Sequence, residues 1–205
     1  MRRFYAVLAT GALLGVLFAS SARAGGLSYS YVDWAGFDAH PQTGADGRGT
    51  RFSLSYALSG NAFLYAGAAQ YDFASFLGRR YAFGVGINST VRAGYSLFAR
   101  VGWNHIGISP DGMAAPALST AFRTPSTGAG AQDHGFGAAF GMRVLMHDNW
   151  ELYALARVEH NNELAHRVSG EFGVLYALSA HMSVGAGVNA TARESDYLLM
   201  LRAYY

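Results

Sequence analysis

Asp196-Tyr197-Leu198-Leu199-Met200-Leu201-Arg202-Ala203-Tyr204-Tyr205 is the stretch on which the fold turns. In an extended chain, successive side chains point to opposite faces. Tyr197, Leu199, Leu201, Ala203 and Tyr205 then share one apolar face, and Arg202 and Tyr204 lie on the other. The sequence stops on an aromatic ring. Two architectures end in such a segment: a membrane barrel, where it is the closing strand, and a soluble sandwich, where it is an edge. The residues upstream decide between them.

The same period-two alternation recurs along the chain. Strand-like segments run over 27–36, 49–58, 62–72, 80–88, 93–105, 134–145, 150–160, 168–177 and 182–191, with the closing segment as the tenth. Most have the roughly nine to eleven residues that a tilted membrane strand needs. Short turns are expected at Ser59-Gly60-Asn61, Asn88-Ser89-Thr90, Met146–Asn149 and Leu178–His181. Longer, polar connections are expected over Asp38–Arg48, Phe73–Arg79, Ile106–Asp133 and Asn161–Arg167; the one after strand nine is short. Short turns alternating with longer loops fit an up-and-down membrane barrel, with turns on the periplasmic side and loops outside. A sandwich gives no reason for that alternation.

Phase is the sharper test. In strands two and four, Phe52, Leu54, Tyr56, Tyr81, Phe83, Val85 and Ile87 oppose Arg51, Arg80 and small residues. Strand five sets Tyr95, Leu97, Val101 and Trp103 against Arg100; strand six sets Phe136, Phe140 and Met142 against Arg143. Strands seven and eight put Glu151, Arg157, Glu159 and Glu171 opposite Leu152, Val158, Val168 and Phe172. An Arg facing lipid at mid-bilayer costs about 2–4 kcal/mol. The apolar parity must therefore face lipid, and these Arg and Glu side chains must face the lumen. By the same rule Leu27, Tyr29 and Tyr31 of strand one, and Phe63, Tyr65 and Tyr71 of strand three, are expected to face outward. The opposite face is otherwise Gly, Ala and Ser, which leaves room for a layer of charge. A lone buried charge costs several kcal/mol, so these charges are expected to pair across the lumen. Arg51, Arg80, Arg100, Arg143, Arg157, Glu151, Glu159 and Glu171 are thus a candidate salt-bridge plug, or the lining of a narrow channel for small solutes. Ten strands enclose a bore far narrower than a large porin, which favours the plug.

Aromatics gather at segment ends. Phe63, Tyr65, Tyr95, Trp150, Tyr176, Tyr204 and Tyr205 adjoin the short turns; Trp34, Phe52, Tyr71, Tyr81, Trp103 and Tyr197 adjoin the longer loops. Two such belts correspond to the interfacial girdles of a membrane barrel.

The N-terminus places the chain outside the cytoplasm. Met1-Arg2-Arg3 precedes an apolar run from Phe4 to Phe18 and then Ala22-Arg23-Ala24-Gly25. This is the pattern of a secretory signal peptide over residues 1–24, leaving a single domain over residues 25–205. The sequence has 15 Lys+Arg and 13 Asp+Glu. Arg2, Arg3 and Arg23 leave with the leader, so 12 basic groups face 13 acidic ones, a net charge of −1. No basic surface for nucleic acid is expected. Every basic residue is Arg, and there is no Cys. An exported domain without disulfides needs another constraint, which a closed strand ladder supplies. No stretch after the leader reaches the ~18 apolar residues of a membrane helix.

Few residues suggest chemistry. His105, His134 and His160 fall near strand ends on the outer side, with Asp133, Glu159, Glu163 and His166 close in sequence. A His/carboxylate group there could bind a metal or activate water. His134, His160 and Glu159 are accordingly the alternative catalytic set, for a rim-located lipid or peptide hydrolase. Their spacing matches no tight metal motif, and solvated loop residues are the simpler expectation. Gly84-Val85-Gly86 and Gly185-Ala186-Gly187 lie inside strands with no helix following, so no nucleotide site is expected. No Gly-x-Ser-x-Gly nucleophile turn is present. The expectation is a non-enzyme with no metal and no cofactor.

Leu27-Ser-Tyr-Ser-Tyr-Val-Asp33, with Gly44-Ala-Asp-Gly47, is similar to the start of a family of small exported outer-membrane barrels. Some members are described as diffusible-signal or quorum-factor proteins. Asp133-His-Gly-Phe-Gly-Ala-Ala-Phe-Gly-Met-Arg143 and Trp150-Glu-Leu-Tyr153 resemble later strands of that family, and the ending resembles its closing strand. The likeness extends to OmpA-like and porin-like barrel domains in general. It implies an integral protein of the Gram-negative outer membrane, in contact with its lipids and lipopolysaccharide. It also implies recognition of the closing strand, through Tyr197, Leu199, Leu201 and Tyr205, by the barrel-insertion machinery. The family offers no catalytic residue, and the long connection at 106–133 departs from it. The expected fold is an all-β transmembrane antiparallel up-and-down barrel of ten strands, with eight as the alternative. The expected role is structural, or binding through the outer loops.

Overall fold

The computed structural model describes residues 27–42, 46–73, 76–110, 131–146, 149–162 and 166–205. The leader at 1–24, Glu163 and residues 111–130 lie outside the described residues. Ten strands follow in order: β1 (Tyr31–Pro41), β2 (Gly47–Ser59), β3 (Ala62–Phe73), β4 (Phe76–Arg92), β5 (Tyr95–Pro110), β6 (Ala131–Met146), β7 (Trp150–Asn161), β8 (Arg167–Ala177), β9 (Met182–Thr191) and β10 (Glu194–Tyr204). Each pairs antiparallel with its sequence neighbours, and β10 pairs with β1 to close the barrel. Closure leaves no free strand edge, so the backbone groups are satisfied within the wall. The described residues form ten strands, not eight.

Tyr31 and Tyr204 meet at one end of the barrel. The connections after β2, β4, β6 and β8 share that end, which is the turn end; the other connections form the loop end. Gly94 has φ of 77°, a left-handed conformation that a side chain would strain.

The outward face is a sheath of apolar side chains. Leu199 is 71% exposed, Phe136 70% and Ile87 65%, and Phe83, Phe140, Phe172, Val101 and Tyr197 are also exposed. Exposed charges on the strands, at Asp38, Arg48, Asp72, Arg79 and Arg92, fall towards strand ends. That is the distribution of a wall meeting hydrocarbon at mid-height and polar groups at both rims.

Several boundaries and one phase differ from expectation. β1 runs over 31–41 rather than 27–36, because the alternation of Asp33, Ala35, Phe37 and Ala39 on the buried face continues past Gly36. β4 starts at Phe76 and continues to Arg92, so the connection after β3 spans only 74–75 and the following turn is at 93–94. β5 and β6 extend into the expected 106–133 loop, because Ile106, Ile108 and Asp133 are buried.

The rings of strand three point inward rather than to lipid: Phe63 is 3% exposed, whereas its neighbour Leu64 is 42% exposed. Tyr29 is also buried, against Phe63 and Phe98. The reason lies across the ladder. Phe63 stands opposite Gly86 and Tyr65 opposite Gly84. Phe98 stands opposite Gly141, Tyr153 opposite Gly173 and Phe37 opposite Gly49. A Cβ built on each of these glycines would run into the facing ring. The small inward residues make room for rings as well as for guanidinium groups.

Candidate functional site in the barrel lumen

Arg51, Arg80, Arg100, Arg143, Arg157, Glu151, Glu159 and Glu171 lie on the buried or half-buried parity of their strands, and six of them meet in three close pairs. At the turn end, Glu151 is 1% exposed and accepts from Arg143, Arg202 and Tyr204 among the described residues. Arg143 donates to both of its oxygens, Nε to Oε1 at 2.8 Å and Nη2 to Oε2 at 3.0 Å. Arg202 Nη1 donates to Oε1 at 3.0 Å, and the Tyr204 hydroxyl donates to Oε2 at 3.0 Å. Arg202 also grips Asp33 with two bonds of 2.6 and 2.9 Å. Arg143 donates once more, to the Ser28 carbonyl at 2.6 Å. Both guanidinium groups lie against the Tyr31 ring. Tyr29 stacks on Phe63 at 5.0 Å and meets Phe98 edge-on at 6.2 Å. Rings and paired charges together stopper this end.

At mid-height, Arg51 chelates Glu171 with bonds of 2.8 and 2.7 Å. The Tyr153 hydroxyl donates to Glu171 Oε1 at 3.0 Å. The planar fork of Arg suits these two-point contacts better than a Lys ammonium would, which gives the all-Arg composition a use here.

Towards the loop end the matching loosens. Arg80 pairs with Glu159, and Arg167 with Glu194 at 3.1 Å. Arg157 reaches Glu159 and Glu171 only at 3.9 and 3.8 Å. Arg100 has no carboxylate in reach among the described residues; its guanidinium lies 4.7 Å from the centre of the Tyr65 ring. Asn104, Asn189 and Asp196 are buried and each carries at least one polar atom without a hydrogen-bond partner. A cavity of about 100 Å³ runs from these groups past Arg51 to Tyr31 and Ser55. Asp33, Arg202, Asp196, Asn104 and Asn189 were not among the sequence candidates. For Asp33, Asn104, Asp196 and Arg202 a signal was present, since each shares parity with an inward charge or ring; Asn189 shares its face only with small residues.

The histidines go elsewhere. His134 and His160 are exposed on the outward face, and Glu159, one residue from His160, is 3% exposed and faces the lumen. The strand pleat therefore puts the barrel wall between the two histidines and the carboxylate, and the alternative catalytic set does not converge. His105 stands opposite His134 and stacks on Trp103 at 5.8 Å. His160 Nδ1 lies 2.8 Å from His166 Nδ1. Among the described residues, no group of three or more His, Asp or Glu has the geometry to hold a metal ion.

No protein-family model matches the chain, and no curated protein matches it in sequence. Solved structures do match in fold. The NanC porin is 8% identical, with a TM-score of 0.56, over 85% of this chain and 99% of that one. The KdgM porin in complex with disordered oligogalacturonate is 8% identical, with a TM-score of 0.46, over 85% and 99%. The N-terminal β-barrel domain of Pseudomonas aeruginosa OprF is 13% identical, with a TM-score of 0.45, over 87% and 100%. The chain has the fold of outer-membrane β-barrel proteins: a closed antiparallel barrel of ten strands in up-and-down order.

Proposed function

We propose that this chain is an integral protein of the Gram-negative outer membrane, exported with loss of residues 1–24. The observation that carries this reading is the outward apolar sheath, which water would not tolerate at such extent. In this reading the turn end faces the periplasm, and the loop end meets the exterior and the lipopolysaccharide. The closing strand presents Tyr197, Leu199, Leu201 and Tyr205 to the insertion machinery. The role is structural, or binding at the loop end, and the paired charges at the turn end keep the lumen from conducting. The separation of His134 and His160 from Glu159 supports a role other than rim hydrolysis.

The test is refolding of the mature chain into detergent and lipid vesicles. A barrel should run faster on a gel before boiling than after. A polypeptide soluble without detergent, with unaltered mobility, would end the reading. Leu199→Arg should lower stability in vesicles by about 2–4 kcal/mol, as lipid-facing Arg does near mid-bilayer. Planar bilayers should stay silent; discrete conductance steps would establish the narrow channel for small solutes instead. Mass spectrometry of lipid A and a peptide-cleavage assay should show no change with the protein present, and a modified product in either would restore the rim hydrolase.

A further inference from the structure

We propose that the loop-end half of the lumen is a binding site for one small oxyanion, the phosphate or carboxylate group of a small solute, held by Arg100, Arg157 and Arg80. Three observations converge on it. The first is charge. The side chains of Arg80, Arg100 and Arg157 line one cavity, so their like charges face one another. Among the described residues, the one carboxylate in close contact with any of the three is Glu159, which Arg80 occupies. Arg157 approaches carboxylates only at 3.8 and 3.9 Å, and Arg100 approaches none among the described residues. Guanidinium groups withdrawn from bulk water need a counter-charge, and here three of them share the cavity with two carboxylates, Glu159 and Asp196, which leaves positive charge in excess.

The second is unmet hydrogen bonding. Asn104 is 3% exposed, and neither its amide nitrogen nor its oxygen has a partner. Its side chain lines the same cavity as Arg80, Arg100 and Arg157. Buried polar atoms in a finished structure are nearly always satisfied. The Asn104 amide nitrogen can donate to an oxyanion as the guanidinium groups do. The third is space. The cavity of about 100 Å³ takes a compact group a few waters in size, and not a chain of sugars. With the turn end stoppered, this is a receptacle and not a passage. Arg51 is not counted among the ligands, because Glu171 already takes its two outer nitrogens. Ordered water is the competing occupant, and it would satisfy Asn104 while leaving the charge unbalanced.

The chain refolded in zwitterionic detergent is titrated calorimetrically with sodium phosphate, and in parallel with sodium succinate, at constant ionic strength. One saturable site for either anion is expected. Arg100→Gln and Arg157→Gln should each weaken it about tenfold or more, the loss of one charge-assisted hydrogen bond. Arg48→Gln, on an exposed pair at the rim, should leave it unchanged. Heats indistinguishable from sodium chloride dilution for both anions, or an Arg100→Gln barrel that binds as the native chain does, would overturn the proposal. Should the variants not refold, the native barrel still decides. Phosphate or succinate should slow phenylglyoxal modification of Arg100 and Arg157 relative to Arg48, read by peptide mass spectrometry, and equal rates at all three with and without both anions would refute the site.

Discussion

The two halves of the lumen are built from the same residue types and reach opposite states. At the turn end, two Arg, one Glu, one Asp and a Tyr hydroxyl form a network in which Glu151 accepts four hydrogen bonds. Aromatic rings fill the space beside it. At the loop end, the Arg residues outnumber their close carboxylate partners, Asn104 is unsatisfied and a cavity remains. Matching, and not charge content, separates a stopper from a site. A closed pair network is worth little more than an apolar core of the same shape, but breaking it is costly. A loose network costs stability from the start and leaves room for an occupant.

The contrast can be broken by substitution, most strongly at Glu151. Glu151→Ala leaves Arg143 and Arg202 buried with too little counter-charge, and should lower stability by about 3–5 kcal/mol in urea unfolding of the refolded barrel. Phe63→Ala removes a ring from the stopper and should cost a comparable or slightly smaller amount, about 3–5 kcal/mol with no relaxation and less if Tyr29 settles into the space. Combined with Phe98→Ala it should produce conductance in planar bilayers where the native barrel is silent. Gly86→Ala forces a methyl into the Phe63 ring and should cost about 1–3 kcal/mol. The smallest effect should fall at Arg100. Arg100→Gln in anion-free buffer removes no ion pair, and should change stability by less than about 1 kcal/mol. If Arg100→Gln proved as damaging as Glu151→Ala, the two halves would not differ in the way described.

The parity of most strands was legible because a charge settled it. In β2 and in β4 to β8, an inward Arg or Glu sits between outward apolar residues, and only one phase avoids Arg in hydrocarbon. β3 has no such marker at mid-strand. Its two faces read Phe63, Tyr65, Gly67, Ala69, Tyr71 and Leu64, Ala66, Ala68, Gln70. Assigning rings to lipid gave the wrong phase, because a ring is favoured inside when the opposite residue is Gly. That condition depends on register, and register is set by turns that propensity does not fix to the residue. In β1 the marker is Asp33, which shares parity with Tyr31 and Phe37 and sets that face inward. The charged lumen residues were readable one by one. Their partners were not, since Arg51 and Glu171 lie 120 residues apart in sequence.

Asp33 and Arg202 stand directly opposite each other on the first and last strands. Their two-point contact therefore cannot exist in an unclosed sheet, however many strands have already formed. Arg143 and Glu151, on adjacent β6 and β7, can meet early; Arg202 joins them only when β10 arrives, and Asp33 only when the seam shuts. Sealing the cylinder and ordering its interior are then a single cooperative event. An assembly intermediate caught just before that moment would have a wet, unfinished floor, and would be marked as incomplete by the exposure of two side chains at opposite ends of the sequence.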